Sequence, residues 1–89
     1  MATLSVVPNS KTTAVKFDEV PAANDHLLQV NPGVDAFYAL SQAGALESCV
    51  VDLLNQAVSA DGMDCSTVYL CRHALETAIA LRTSIGAAA

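Results

Sequence analysis

The clearest pattern in the chain begins after residue 34. There, apolar residues recur at alternating intervals of four and three positions. The residues in this series are Ala39, Ala43, Leu46, Val50, Leu53 and Ala57. Such spacing places them on one side of a helix, and it predicts a helix over about residues 34–59. Asn31, with Pro32 behind it, and Asp35 are both suitable N-caps, and the pattern leaves open which of them begins the helix.

A second helix is predicted after a turn signal at Asp61-Gly62, where Gly62 can adopt the left-handed conformation that ends a helix. This helix covers about residues 65–86, and Asp64 or Ser66 caps it. Its apolar series is Cys71, Ala74, Ala78, Leu81 and Ile85, with Val68, Leu75 and Ile79 beside it. Its expected solvent side is Ser66, His73, Glu76, Thr77, Thr83 and Ser84. The short connection makes the two helices antiparallel neighbours.

The first thirty residues show no period that lasts for more than a few positions. Their apolar residues come in short groups, which are Leu4, Val6 and Val7, and then Val15, Phe17 and Val20. This pattern predicts an extended or disordered arm, in which residues 26–30 either form a short strand or lie on the helices. The expected organisation is therefore an arm over residues 1–30 and a helical hairpin domain over residues 31–89.

The predicted helical hairpin carries more apolar surface than it can bury by itself. Backbone ordering costs about 1–2 kcal/mol per residue, and a hairpin of this size buries too little area to offset that cost. The sequence therefore predicts an all-α fold, an antiparallel two-helix hairpin that dimerises into a four-helix bundle. A different protein or the chain's own arm are the other candidates for covering the second apolar flank. The residues expected to pack the helices or to form the oligomer interface are Leu40, Ala43, Leu46, Val50, Leu53, Leu54, Ala57, Cys71, Leu75, Ala78, Leu81 and Ile85.

Residues 27–86 also resemble a family of small bacterial proteins that has no assigned activity. The resemblance rests on a V-x-x-G-V motif followed by a helix with A-L-x-x-A-x-x-L-x-x-C. In this chain the matching residues are Val30, Gly33, Val34, Ala39, Leu40, Ala43, Leu46 and Cys49. The resemblance implies the helical hairpin and no particular chemistry.

Charge and hydropathy narrow the classes of function. Nine acidic residues against four basic ones give a net charge of −5, which disfavours binding to nucleic acid. The mean hydropathy is +0.41, yet no apolar run approaches the roughly 20 residues of a membrane-spanning helix. The N-terminus lacks the charged and apolar regions of a signal peptide, and the chain has an odd number of cysteines, so a cytoplasmic protein with reduced thiols is expected.

Candidate chemistry is sparse. Cys71 and His73 are two positions apart on a helix and point about 200° from each other, so they cannot bind one metal ion. His73 and Glu76 lie three apart on the expected solvent side, where a hydrated polar face is the better interpretation. Cys49 and Cys71 are expected to fill core space, and Cys65 to be exposed. The sequence therefore predicts no catalytic residues, no metal and no cofactor.

The predicted function is that of a non-enzymatic protein–protein interaction or regulatory module in the cytoplasm, acting as a homodimer. An unidentified protein partner could also dock on the arm or on the apolar flank, and neither nucleic acid nor membrane is expected as a partner. The alternative is a small acidic inhibitor that blocks a basic surface of another protein. Against that alternative, the acidic residues are spread along the chain and do not imitate a row of phosphates.

Overall fold

The computed structural model describes residues 10–86 and shows an α+β fold. An antiparallel pair of strands comes first, β1 at Val15–Val20 and β2 at Asp25–Val30. Two helices follow, α1 at Ala36–Ala60 and α2 at Cys65–Gly86. The expectation of an all-α fold is wrong, because a two-stranded sheet precedes the helices.

Helix α1 begins two residues later and ends one residue later than the apolar spacing predicts. It begins at Ala36 because Asp35 is the N-cap, and the Asp35 carboxylate accepts a hydrogen bond from the Phe37 N–H at 2.9 Å. Its last residue is Ala60, and the C-cap is Asp61, which has a φ of 68°. The Gly62 N–H donates to the Ala57 carbonyl at 2.8 Å. The left-handed residue at this end is thus Asp61, one position before the glycine.

Helix α2 occupies the predicted range and begins immediately after Asp64. The Asp64 carboxylate accepts a hydrogen bond from the Thr67 N–H at 2.7 Å, so Asp64 is the cap. This hydrogen bond holds the pKa of Asp64 below its usual value, because it stabilises the charged form.

Strands β1 and β2 form a β-hairpin inside the segment that the sequence assigned to an extended or disordered arm. Their register pairs Val15 with Val30 at one end and Val20 with Asp25 at the other. The described part of the predicted arm is therefore folded, and a four-helix bundle built from helical hairpins alone is wrong for this chain. Residues 1–9 of that arm lie outside the described residues.

The β-hairpin forms because two short runs with apolar residues flank a group of turn residues. The first run contains Val15, Phe17 and Val20, and the second contains Leu27, Leu28 and Val30. The connection is a 3-10 turn at Pro21–Ala23, followed by Asn24 with a φ of 53°. Asn tolerates this left-handed conformation, and the Asn24 N–H donates to the Pro21 carbonyl at 3.1 Å. Asp18 also has a positive φ, of 62°, and the register omits its pairing with Leu27.

Helix α2 is the central element, with α1 on one side and the β-hairpin on the other. Ala78 is buried towards α1, whereas Ala80 lines a cleft against β1. Two positions on a helix differ by about 200°, so these two neighbours lie on opposite sides of α2. The three parts form a flat plate whose Cα atoms span 44 × 40 × 17 Å.

Thr12 fastens the segment before β1 to the turn before α1. It is only 4% exposed, and its hydroxyl donates to the Asn31 carbonyl at 2.6 Å and accepts from the Val34 N–H at 3.0 Å. Its backbone adds two bonds, one from its N–H to the Val34 carbonyl at 2.7 Å and one to its carbonyl from the Gly33 N–H at 2.9 Å. Gly33 has a φ of 83°, a conformation that favours glycine at this point of the turn.

The side of α2 that the sequence predicted to face solvent is partly covered. Ser84 is 1% exposed, and its carbonyl accepts hydrogen bonds from both the N–H and the hydroxyl of Thr13, each at 2.9 Å. The Ser84 hydroxyl donates to the Leu81 carbonyl at 2.6 Å, and the Thr77 hydroxyl donates to the His73 carbonyl at 2.9 Å. A hydroxyl that bonds to the preceding turn of its own helix does not need water. The solvent-facing assignment is therefore wrong for Ser84, while His73 and Thr77 are half-buried.

The buried core is small in extent and made mostly of small side chains. The buried apolar residues are Val30, Ala36, Ala39, Ala43, Val50, Cys71, Ala78, Ala80 and Ile85. Among the described residues, only Val30, Val50 and Ile85 of this set carry a large aliphatic side chain. Ala36, Ala39 and Ile85 form a cluster at the end of the helix pair, and the half-buried Leu40 and Leu81 pack against this cluster.

We expect Thr12→Val to lower the free energy of unfolding by about 2 kcal/mol or more, because it leaves the Asn31 carbonyl and the Val34 N–H without their buried partner. Urea unfolding followed by circular dichroism measures this change. Thr83→Val makes the same chemical change at an exposed position and should stay within about 0.5 kcal/mol of the parent. Equal effects of the two variants would contradict the role of Thr12.

Candidate functional site

The predicted packing residues fall into three groups in the structure. Ala43, Val50, Cys71, Ala78 and Ile85 are buried. Leu40, Leu46, Leu53, Ala57 and Leu81 are half-buried. Leu54 and Leu75 are exposed, although the sequence placed both among the residues expected to pack the helices or to form the oligomer interface. These two leucines belong to an apolar surface that the rest of the described chain leaves exposed.

An uncovered apolar surface runs along one side of the helix pair. We call it the open face, and its residues are Val51, Leu54 and Val58 of α1 and Val68, Leu75 and Ile79 of α2, all of them exposed. The most exposed is Val58, at 83%. Exposed aliphatic residues scattered singly are normal, whereas a contiguous apolar patch marks a site of interaction.

An ion pair establishes that the two halves of the open face lie on the same side of the helix pair. Glu47 is followed at intervals of four and seven by Val51 and Leu54, and Arg82 is preceded at intervals of three and seven by Ile79 and Leu75. Residues at these intervals share one face of a helix. Because the side chains of Glu47 and Arg82 are in contact, the α1 residues and the α2 residues of the open face are exposed on the same side of the helix pair.

The pair between Glu47 and Arg82 is bidentate. The Arg82 Nε donates to Glu47 Oε2 at 2.8 Å, and Nη2 donates to Oε1 at 2.7 Å. These hydrogen bonds, reinforced by the opposite charges, hold the pKa of Glu47 below its ordinary value and raise that of Arg82. The pair joins α1 to α2 and leaves no net charge at its end of the open face.

Two ion pairs lie beside the open face. Besides Glu47 with Arg82, Arg72 lies four residues after Val68 and pairs with Glu76 at 3.6 Å. Setting these four residues aside leaves seven acidic residues and two lysines, which carry the net charge of −5. Two of these acidic residues, Asp61 and Asp64, lie at the turn between the helices and border that end of the open face. The charged residues along the rest of the open face are thus paired with opposite charges.

A second group of polar side chains lines an open cleft of about 320 Å³ between β1 and α2. Asp18, Glu19, His26 and Glu76 line it together with apolar neighbours, among them Ile79 of the open face. Within residues 10–86, no three histidine, cysteine or carboxylate side chains form a group that could hold a metal ion. The cleft therefore offers separate polar groups and no assembled ligand set.

The three cysteines are free thiols and differ in exposure. Cys71 is buried in the core, whereas Cys49 and Cys65 are exposed. The expectation that Cys49 fills core space is wrong, because its side chain lies outside the buried side of α1 and is exposed. The exposed Cys65 agrees with its place at the beginning of α2.

Sequence reasoning missed Val51 and Val58 as members of an exposed surface. Their signal is the spacing of residues 47, 51, 54 and 58, a second helical face beside the main series. This second spacing was overlooked because the main apolar series is sufficient to predict the helix by itself. The flank of α2, by contrast, was recognised from Val68, Leu75 and Ile79.

Comparisons with protein-family models, with curated proteins and with solved structures found no match to this chain. The resemblance to a family of small bacterial proteins, carried by the V-x-x-G-V motif, therefore stays a prediction. Neither of the two described helices is long and apolar enough to cross a membrane.

We expect Glu47→Gln to lower the free energy of unfolding at neutral pH by less than about 1 kcal/mol, since the pair is partly exposed and screened by solvent. The folded-state pKa of Glu47 is depressed, so its contribution is present above about pH 4.3, the ordinary glutamate value, and is lost as the pH falls through the folded pKa. Urea titrations at a series of pH values should show the parent and the variant converging in acid.

Glu76→Gln is the matched control for this prediction. It removes the pair with Arg72, which has the longer separation of 3.6 Å and lies within one helix, so the expected loss is about 0.3 kcal/mol. A difference between the parent and Glu47→Gln that persists in acid would contradict an electrostatic origin.

Proposed function

We propose that this chain is a non-enzymatic protein–protein interaction module of the cytoplasm, and that its docking surface is the open face. The observation that carries the proposal is the contiguous set of exposed aliphatic side chains on α1 and α2. A surface of this kind favours association, because covering apolar area releases about 25 cal/mol per Å².

The distribution of large side chains supports this proposal. Three large aliphatic residues are buried, whereas thirteen large apolar residues are exposed within the described part of the chain. A domain usually packs two layers around one core, and here α1, α2 and the β-hairpin lie side by side in a plate 17 Å thick. A partner on the open face would supply the missing second layer.

The proposed compartment rests on the cysteines. All three are free, and two of them are exposed. The cytosol keeps exposed thiols reduced, whereas an oxidising compartment favours disulfides.

Three of the nine acidic residues are engaged in local contacts. Asp35 and Asp64 cap the helices, and the Asp25 carboxylate accepts a hydrogen bond from the His26 N–H and pairs with Lys16 at 3.7 Å. Carboxylates engaged in this way at separate turns are less suited to imitate the regular array of a phosphate backbone, which supports the interaction module over the inhibitor. An interaction through apolar contact is therefore the function that we favour.

We expect Ile79→Glu to release this chain from its assembly in the cells that produce it, because a charge placed in an apolar interface is desolvated without a partner. The measurement is native mass spectrometry of the tagged full-length chain after mild purification. The matched control is Leu70→Glu, since Leu70 also lies on α2 and is 59% exposed, close to the 63% of Ile79. Circular dichroism checks that both variants keep their helices.

The parent and Leu70→Glu should be recovered in an assembly and Ile79→Glu as a single chain. Recovery of the parent as a single chain would contradict the proposal, and so would equal loss of assembly in both variants.

A further inference from the structure

We infer that a second copy of this chain covers the open face, so that two plates associate through α1 and α2 with the β-hairpins at the outside. This inference rests on the proposed function and names the partner of the same surface. Three properties of the open face support it, namely its area, its charge and its shape.

The area of the helix pair suits a dimer of ordinary size. At about 1.5 Å per residue, helices of 25 and 22 residues are roughly 35 Å long, and two neighbouring helices are about 20 Å wide. One whole side of the pair therefore offers about 700 Å² to a partner, and the open face takes up about half of the length of that side. Two such sides, with the polar residues beyond the open face included, bury about 1,400 Å² together, within the range of stable protein–protein interfaces.

Charge favours a copy of the chain over a partner that is recognised by its charge. Two acidic molecules repel each other wherever their acidic surfaces meet. Glu47 and Glu76 are each paired with an arginine, and the unpaired Asp61 and Asp64 lie only at the end of the open face next to the turn. Two open faces can therefore meet in an antiparallel arrangement, with the two turns at opposite ends, without bringing these acidic residues together.

The shape of the open face allows it to bind itself. In a two-fold dimer the same patch is used by both copies, so the patch must be complementary to itself. Aliphatic side chains on two antiparallel helices present ridges and grooves that a second helix pair can fill. A two-fold axis through the middle of the open face brings its central residues, Leu54 and Leu75, close to the same residues of the second copy.

Sedimentation velocity of the purified full-length chain over a range of concentrations tests the inference. The parent should be a dimer, and its dissociation constant should change little between low and high salt because the interface is apolar and the charges along it are paired. Ile79→Glu should weaken the dimer by at least about 100-fold, as expected for an unpaired charge in a buried interface. Leu70→Glu, on another side of α2, should leave the dissociation constant unchanged.

Chemical cross-linking locates the interface independently. In a chain with Cys49→Ser and Cys65→Ser, the added substitution Val51→Cys places a thiol on the open face, about one helical turn from its centre, and Leu70→Cys places it elsewhere. A short bis-maleimide should join two copies of the Val51→Cys chain and leave the Leu70→Cys chain single. Valine and cysteine are close in volume, so this substitution preserves the surface.

The outcomes separate the two levels of the proposal. A dimer that Ile79→Glu dissociates and that cross-links through Val51→Cys supports the inference. A dimer that survives Ile79→Glu overturns it, since the contact then lies elsewhere. A parent that is single at about 100 µM, where an interface of ordinary size is saturated, overturns the second copy as partner.

If the purified parent is a single chain, the assembly recovered from the native cells tests the proposed function. If that assembly still depends on Ile79, the interaction module stands with a different partner on the open face. If no assembly depends on Ile79 in either experiment, both the module and the dimer are wrong.

Discussion

The close packing of small side chains between α1 and α2 is the constraint on which the rest of the structure depends. Ala39, Ala43 and Ala78 are nearly fully buried, and their size lets two helices approach closely. Each alanine removes little apolar area from water, so this contact stabilises the pair less than a leucine-filled seam would. The larger residues lie on the flanks, and the open face is the direct result.

The contact between α1 and α2 buries little apolar area, and hydrogen bonds that involve Thr12, Thr13 and Ser84 add stability to the fold. Thr12 bonds to the turn before α1, and Thr13 bonds to the Ser84 carbonyl near the end of α2, so residues far apart in the chain are held together. These groups attach the β-hairpin to the outer side of α2. The same attachment leaves one side of the helix pair largely uncovered, since the β-hairpin packs on α2 on the side away from α1. Ile79 lies at the border, because it belongs to the open face and also lines the cleft beside β1.

Periodicity located both helices because it repeats over more than twenty residues, and Asp35 and Asp64 cap them with the side chains that the sequence offered. Of the β-hairpin, the sequence offered only a possible strand at residues 26–30, which β2 at Asp25–Val30 confirms. Strand β1 and its pairing with β2 escaped the same reasoning for a physical reason. Each strand has six residues, and Asp18 interrupts the alternation of β1 with a left-handed backbone, so the period of two is never sustained. The apolar flank of α2 was also foreseen, but its exposure could be known only after the β-hairpin was seen to cover another side.

The sequence by itself determined the local elements, because helix periodicity, caps and turn residues act over a few neighbouring positions. Only the tertiary structure decided which sides of those elements are covered. Ser84 is hydrophilic by type and is buried, since its polar groups bond within its helix and to Thr13, whereas Ile79 is apolar and remains exposed. Burial depends on contacts between distant segments, and the chemistry of a single residue does not specify which segment will reach it.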